Sequence, residues 1–184
     1  MEIKYPEIGI CGLACHLCPR YHTDGSSRCG GCKSEYRMGG GCLFITCAVK
    51  KKGIEFCWEC GESLNCEKWR RHREDGKKAD SFKCYQKLED DIEYVQKNRT
   101  LEFKRRQNRR EAILKEMLKN YNEGRSKSYY CVAATVMEVN ELQEALAKAE
   151  KNSQCLDLKG KAKFLHSRLD EIAARQGYCL RLRK

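Results

Sequence analysis

The sequence predicts two unlike parts in one chain: a small metal-stabilised cysteine-rich module with little regular structure, then a mainly α-helical bundle. Two observations carry this reading. Eleven of the 14 cysteines and 11 of the 14 glycines fall within residues 1–84, and from Tyr85 onward apolar residues recur at helical spacing. The shift near Cys84 divides a cysteine-rich zinc-binding module, 1–84, from a basic helical domain, 85–184.

The first part opens on "ICGLACHLCPRY", Ile10 to Tyr21, which sets Cys11, Cys15 and Cys18 in a C-x3-C-x2-C array. Cys15/Cys18, Cys29/Cys32 and Cys57/Cys60 are C-x2-C pairs, Cys42/Cys47 is a wider pair, and Cys11, Cys66 and Cys84 stand singly. A tight C-x2-C turn lets two sulfurs converge on one ion while nearby amides offset their charge. Glycine in "CGGC", Cys29 to Cys32, permits the positive φ that such a turn requires. In a reducing cytoplasm these pairs read as metal ligands rather than disulfides.

Cys11, Cys15, Cys18, Cys29, Cys32, Cys42, Cys47, Cys57, Cys60 and Cys66 make ten candidate ligands, two more than two Zn(Cys)4 sites need. Either His16, His22 or Cys84 completes a third site or two thiols stand free, with Cys11 and Cys66 open on that point. The sequence leaves the pairing open. A sequential arrangement joins Cys15/Cys18 with Cys29/Cys32; a cross-braced one joins Cys15/Cys18 with Cys42/Cys47 and Cys29/Cys32 with Cys57/Cys60. The histidines read as exposed loop residues, and Cys84 as a buried thiol at a helix entry. The loops are short and polar, so this segment is not expected to bury enough apolar surface to fold without metal.

These blocks resemble a known family. Cys11-Gly12, Cys15 and Cys18-Pro19; Cys29, Gly31 and Cys32; Cys42 and Cys47-Ala48; "KGIEFCWEC", Lys52 to Cys60; and "CEKW", Cys66 to Trp69, occur in the order found in the prokaryotic cysteine-rich family catalogued as domain of unknown function 3795. The resemblance covers about residues 8–73. Asn65 stands where the family often has proline, and the spacer after Cys18 is shorter than in many members. The resemblance implies a metal-binding, zinc-binding module without assigning an activity.

In the second part, Leu88, Ile92 and Val95 mark one helix and Ile113, Leu114, Met117, Leu118 and Tyr121 another, ending near "NEG", Asn122 to Gly124. Val132, Val136, Val139, Leu142, Leu146 and Ala149 form one stripe, and Ala162, Leu165, Leu169, Ile172 and Ala173 a second. "KSYYCVAATV" has strand-forming residues but continues a helical stripe, and is read as helix. The tail "GYCLRLRK" alternates Tyr178, Leu180 and Leu182 and reads as a short terminal strand.

The formal net charge is +11, lowered by each pair of metal-bound thiolates. Residues 85–184 hold 22 Lys and Arg against 15 Asp and Glu, residues 1–84 15 against 11. The densest run is "KNRTLEFKRRQNRR", where Lys104, Arg105, Arg106, Arg109 and Arg110 form a helical strip that can contact an anion or nucleic acid, or be a solvated face partly neutralised by acidic neighbours. "GRSKS", Gly124 to Ser128, is a second basic loop. No segment reads as an export signal or membrane span, so a cytoplasmic location is expected.

These features favour a protein whose structural zinc supports a surface for an unknown protein or nucleic-acid partner. The alternative is an iron-sulfur redox or sensor protein that uses the N-terminal array for a [4Fe-4S] cluster. An enzyme is less favoured. The array is shared with radical S-adenosylmethionine enzymes, but the 166 residues after Cys18 begin with further zinc-like blocks.

Overall fold

A computed structural model describes residues 2–26, 28–38 and 42–184, apart from the side chains of residues 35 and 36. Five longer helices dominate: α1, Glu67–Lys78; α2, Leu88–Tyr121; α3, Lys127–Val136; α4, Val139–Asn152; and α5, Leu158–Gln176. Among the described residues the β structure is a single antiparallel bridge between Ile8 and Ala14.

α2 begins with Glu89, Asp90 and Asp91 in its first turn, where carboxylates suit the positive end of the helix dipole. It is not one rod. Arg99 has φ 68° and ψ 151°, outside the helical region. The ring centroids of Tyr94 and Phe103 are 6.2 Å apart, and the Arg106 guanidinium lies 5.0 Å from the Tyr94 ring. In an unbroken helix twelve residues span about 18 Å. The two arms therefore fold back on one another, in keeping with the two helices expected from the apolar spacing.

α3 occupies the centre. Every residue from Tyr130 to Val136 is buried. Leu114, Met117 and Tyr121 of α2, Leu142, Ala145 and Leu146 of α4, and Leu165 and Leu169 of α5 enclose it. Burial on all sides overrides the strand preference of Tyr, Val and Thr, and "KSYYCVAATV" is helical as expected. The stripe from Val132 to Ala149 is divided between two helices by extended backbone at Met137 and Glu138. There the Glu141 carboxylate accepts the Glu138 N–H at 2.9 Å and caps α4. α5 starts at Asp157, whose carboxylate accepts the Gly160 N–H at 2.8 Å, and ends at Gly177 with φ 74°.

The C-terminal tail corrects the strand expectation. No neighbouring strand offers it a ladder among the described residues, and it is tied down by Asp80, the Arg183 side chain and one backbone hydrogen bond instead. The Arg183 N–H donates to Asp80 Oδ2 at 2.8 Å, the Arg183 guanidinium donates to the Gly76 carbonyl at 2.6 Å, and the Asp80 N–H donates to the Arg183 carbonyl at 2.9 Å. Leu180 is buried, and Tyr178 and Leu182 pack beside it against the helical core.

The cysteine-rich segment borrows much of its core from α2. Cys11, Leu13 and Trp69 cluster with Leu88 and Ile92, and Ile8 and Phe56 cluster with Val95 and Phe103. Ala14 and Leu17 enter the main core. Gly12 makes the close approach possible: its φ is +103°, and a Cβ there would lie 2.8 Å from Ile92 Cγ1. Apolar residues too scattered to fold alone thus gain a platform from the helical part.

Candidate metal centre

The first knuckle is a 3-10 turn, Cys15–Leu17, closed by the Cys18 N–H donating to the Cys15 carbonyl at 3.2 Å. The second contains Gly31 at φ +91°, the left-handed geometry expected of "CGGC". The intervening loop is drawn shut by the Cys29 N–H donating to the Arg20 carbonyl at 2.9 Å. Lys33 anchors the second knuckle. Its buried ammonium donates to Glu55 Oε1 at 2.8 Å and to the Tyr5 carbonyl at 3.0 Å, 3.7 Å from the Phe56 ring centroid.

These supports bring Cys15 Sγ to 3.6 Å from Cys32 Sγ. Two thiolates bound tetrahedrally at about 2.3 Å from one zinc ion stand about 3.8 Å apart, so this pair is spaced as two ligands of one ion. Burial raises the Cys18 thiol and charge on Cys29 adds to it, which puts these two sulfurs within electrostatic reach and matches the sequential pairing. Cys11 is buried nearby, and Cys32 and Cys42 both act on it electrostatically.

A second group lies around a cavity that Phe44 helps to line. Cys47, on a wide helical turn over Ile45–Lys51, lines a cavity of about 350 Å³ with Cys57, Cys60 and Cys66. Cys57 and Cys60 belong to another 3-10 knuckle, and Phe44, Ala48 and Ile54 form apolar walls. The Lys52 ammonium lies 3.1 Å from Cys60 Sγ and also pairs with Glu62. Cys47 therefore sits with the third C-x2-C pair and Cys66, rather than with Cys15 and Cys18 as cross-bracing requires.

The described residues contain no group of three or more His, Cys, Asp or Glu gathered as a formed metal site. The donor chemistry nevertheless fits thiophilic ions, and the 3.6 Å pair meets the required spacing. Nearby cations compensate the sulfurs only in part: Lys83 acts on Cys11, Cys18 and Cys32, and Lys52 lies 3.1 Å from Cys60 Sγ. Burial pushes the Cys11 thiol up to about 11, aided by Cys32, and raises Cys18 and Cys57. Cys15 is held above the ordinary thiol range and Cys32 below it, because one thiol donates to the other's thiolate. Crowded sulfurs of this kind are relieved by a cation.

Other candidates fall outside these groups. Cys131 is buried in α3 and Cys84 half-buried before α2; burial pushes both up to about 12. Cys155 and Cys179 are exposed. The histidines are not loose loop residues. His16 Nδ1 lies 2.8 Å from Glu111 Oε2 and its ring stacks on Tyr21, while His22 Nε2 lies 2.6 Å from the His16 carbonyl. Glu111 is 95 positions from His16 in sequence, so nothing local signalled that contact.

The strip Lys104, Arg105, Arg106, Arg109 and Arg110 is not a free basic face. Arg110 is fully buried and donates to the Thr135 carbonyl at 2.5 Å. Arg106 makes two hydrogen bonds to Glu138, at 2.9 and 3.0 Å, and Lys104 lies 3.4 Å from Glu7. Arg105 pairs with Glu102 at 2.5 Å, and Arg109 alone of the five is exposed without an ion pair among the described residues. Folding α2 back on itself turns much of the strip inward. No helix of the described residues is long and apolar enough to cross a membrane.

No protein-family model matches the chain, and neither a curated protein nor a solved structure shows significant similarity to it.

Proposed function

We propose that the protein is a zinc-binding protein whose metal is structural and whose N-terminal module supports an interaction or regulatory surface. Cys15, Cys18, Cys29 and Cys32 form one ligand set, and Cys47, Cys57, Cys60 and Cys66 the other. The 3.6 Å separation of Cys15 and Cys32 carries the reading, since two sulfurs seventeen positions apart approach as ligands of one ion do. In a cubane cluster each iron takes its own cysteine, and the ligating sulfurs lie farther apart. Closed four-thiolate sites leave no coordination position for substrate, which favours structure over catalysis. The resemblance to domain of unknown function 3795 and a reducing cytoplasmic setting belong to the same proposal.

Cys11 and Cys42 are then extra thiols at the edge of the first set. Elemental analysis of anaerobically purified protein, with a visible spectrum, tests the proposal. It predicts two zinc ions per chain and no broad visible absorbance. Iron and sulfide with such absorbance would establish the cluster reading instead, and metal-free folded protein would remove both.

A further inference from the structure

With most of the strip on α2 turned inward, the loop after that helix gathers several cations in concave surroundings. The loop between α2 and α3 is a wall shared by two clefts. On one side Asn122 and Lys127 line a polar cleft of about 400 Å³, with Arg28, Lys115 and Lys119 also on its surface. On the other, Glu123, Arg125 and Ser126 line an open cleft of about 900 Å³ with Lys159 and Lys163 of α5.

Most of these cations have no acidic partner. Lys115 pairs with Glu111 at 2.6 Å, but among the described residues none of Arg28, Lys119, Arg125, Lys127, Lys159 and Lys163 lies within ion-pair distance of a carboxylate. Two carboxylates on the larger cleft are held by local neutral donors and keep their charge, so its three cations are in modest excess there. Glu123 Oε2 accepts from Ser126 Oγ at 2.5 Å, and Asp157 caps α5. Asp24 is the acidic group on the smaller cleft's lining.

Ser126 Oγ lies 2.8 Å from His166 Nε2, an arrangement that invites a nucleophilic reading. The hydroxyl proton goes to Glu123, however, so His166 Nε2 donates to Ser126 and cannot act as its base. Ser126 is also buried. The clefts are therefore read as a binding surface.

We propose that the loop at residues 122–127 and its two flanking clefts bind single-stranded nucleic acid through its phosphates. Concave basic clefts on both sides of one ridge suit a flexible single strand that can bend across it better than a stiff duplex. Tyr21 on the smaller cleft already stacks on His16 and has Arg28 5.2 Å from its ring, so the site offers charge for phosphates rather than a free face for a base. The proposal deepens the interaction reading above and rests on it only for Arg28, which lies in the loop between Cys18 and Cys29. The Arg125, Lys159 and Lys163 cleft belongs wholly to the helical part.

The test measures fluorescence anisotropy with labelled single-stranded DNA and RNA long enough to cover a site of roughly 4 to 16 nucleotides. If each of the six unpaired cations neutralises one phosphate, log K falls with log salt at a slope of about −4, or roughly 300-fold between 50 and 200 mM. The triple variant Arg125→Glu, Lys159→Glu, Lys163→Glu should bind at least about tenfold more weakly at 50 mM, with a slope near −2. Arg105→Glu with Arg109→Glu should change neither quantity by as much. Relative affinity for the DNA and RNA arms identifies the source.

Absence of oligonucleotide binding, a salt-independent affinity, tighter binding to duplex, or an unaffected triple variant would each overturn the proposal. So would binding to phosphatidylserine vesicles without binding to oligonucleotides. Circular dichroism and metal content of the same preparations separate the outcomes: loss of zinc indicts the metal reading, whereas a folded triple variant with unchanged binding indicts the clefts.

Discussion

Asp91 offers a sharp test of how the helical hairpin is held together. Its carboxyl is buried on the inner side of α2, in the field of Arg110, Arg106 and Lys87, with Asp90 opposing them. Two effects compete: the cations favour the ionised form, and burial disfavours it. Burial dominates and pushes the carboxyl up to about 7 from its ordinary 3.8. Below pH 3.8 the group is protonated in both folded and unfolded chains, and its contribution to stability is fully present. As pH rises toward 7 the unfolded chain ionises while the folded one holds its proton, so stability is lost at about 1.4 kcal/mol per pH unit. Between pH 5 and 8 the loss is about 3 kcal/mol. Asp91→Asn fixes the neutral form. Urea unfolding of both proteins at constant metal content should show the variant gaining about 3 kcal/mol on the wild type between pH 5 and pH 8. A variant less stable at pH 8, or a difference independent of pH, would show that ionised Asp91 is the needed counter-charge for Arg110 and would refute this ordering of effects.

Two further substitutions probe the same architecture. Gly12→Ala places a Cβ 2.8 Å from Ile92 Cγ1 on backbone at φ +103°, and should cost about 2 to 4 kcal/mol in thermal or urea unfolding; a neutral result would mean that the cysteine-rich segment is not seated on α2 as described. Arg110→Met leaves the buried Thr135 carbonyl without its donor, while Glu138 keeps Arg106, and should cost about 1 to 3 kcal/mol, whereas Arg109→Ala should stay within about 0.5 kcal/mol.

Much of this architecture was legible in the chain because it is periodic or local. The apolar steps at Leu88, Ile92 and Val95, and again from Ile113 to Tyr121, marked both arms of α2, and the "CGGC" glycines marked a left-handed turn found at Gly31. The stripe through "KSYYCVAATV" outweighed its strand-forming residues because α3 is enclosed on every side. What escaped depends on partners far apart in sequence. Arg106 meets Glu138, His16 meets Glu111 and Arg183 meets Asp80, and each contact turns an apparently exposed charge inward or anchors an apparent strand. The reversal at Arg99 lacks the glycine that usually announces a positive φ. Which cysteines line one cavity was equally hidden, since spacing defines knuckles and only the fold can bring Cys47 to the cavity of Cys57, Cys60 and Cys66.

The central claim is that eight cysteines form two closed zinc sites. X-ray absorption at the zinc edge of anaerobically purified protein addresses it directly. The account predicts four sulfur neighbours per zinc at about 2.3 Å, with no nitrogen or oxygen ligand. A first shell containing histidine or water, or an iron edge with iron-iron scattering in place of zinc, would contradict it.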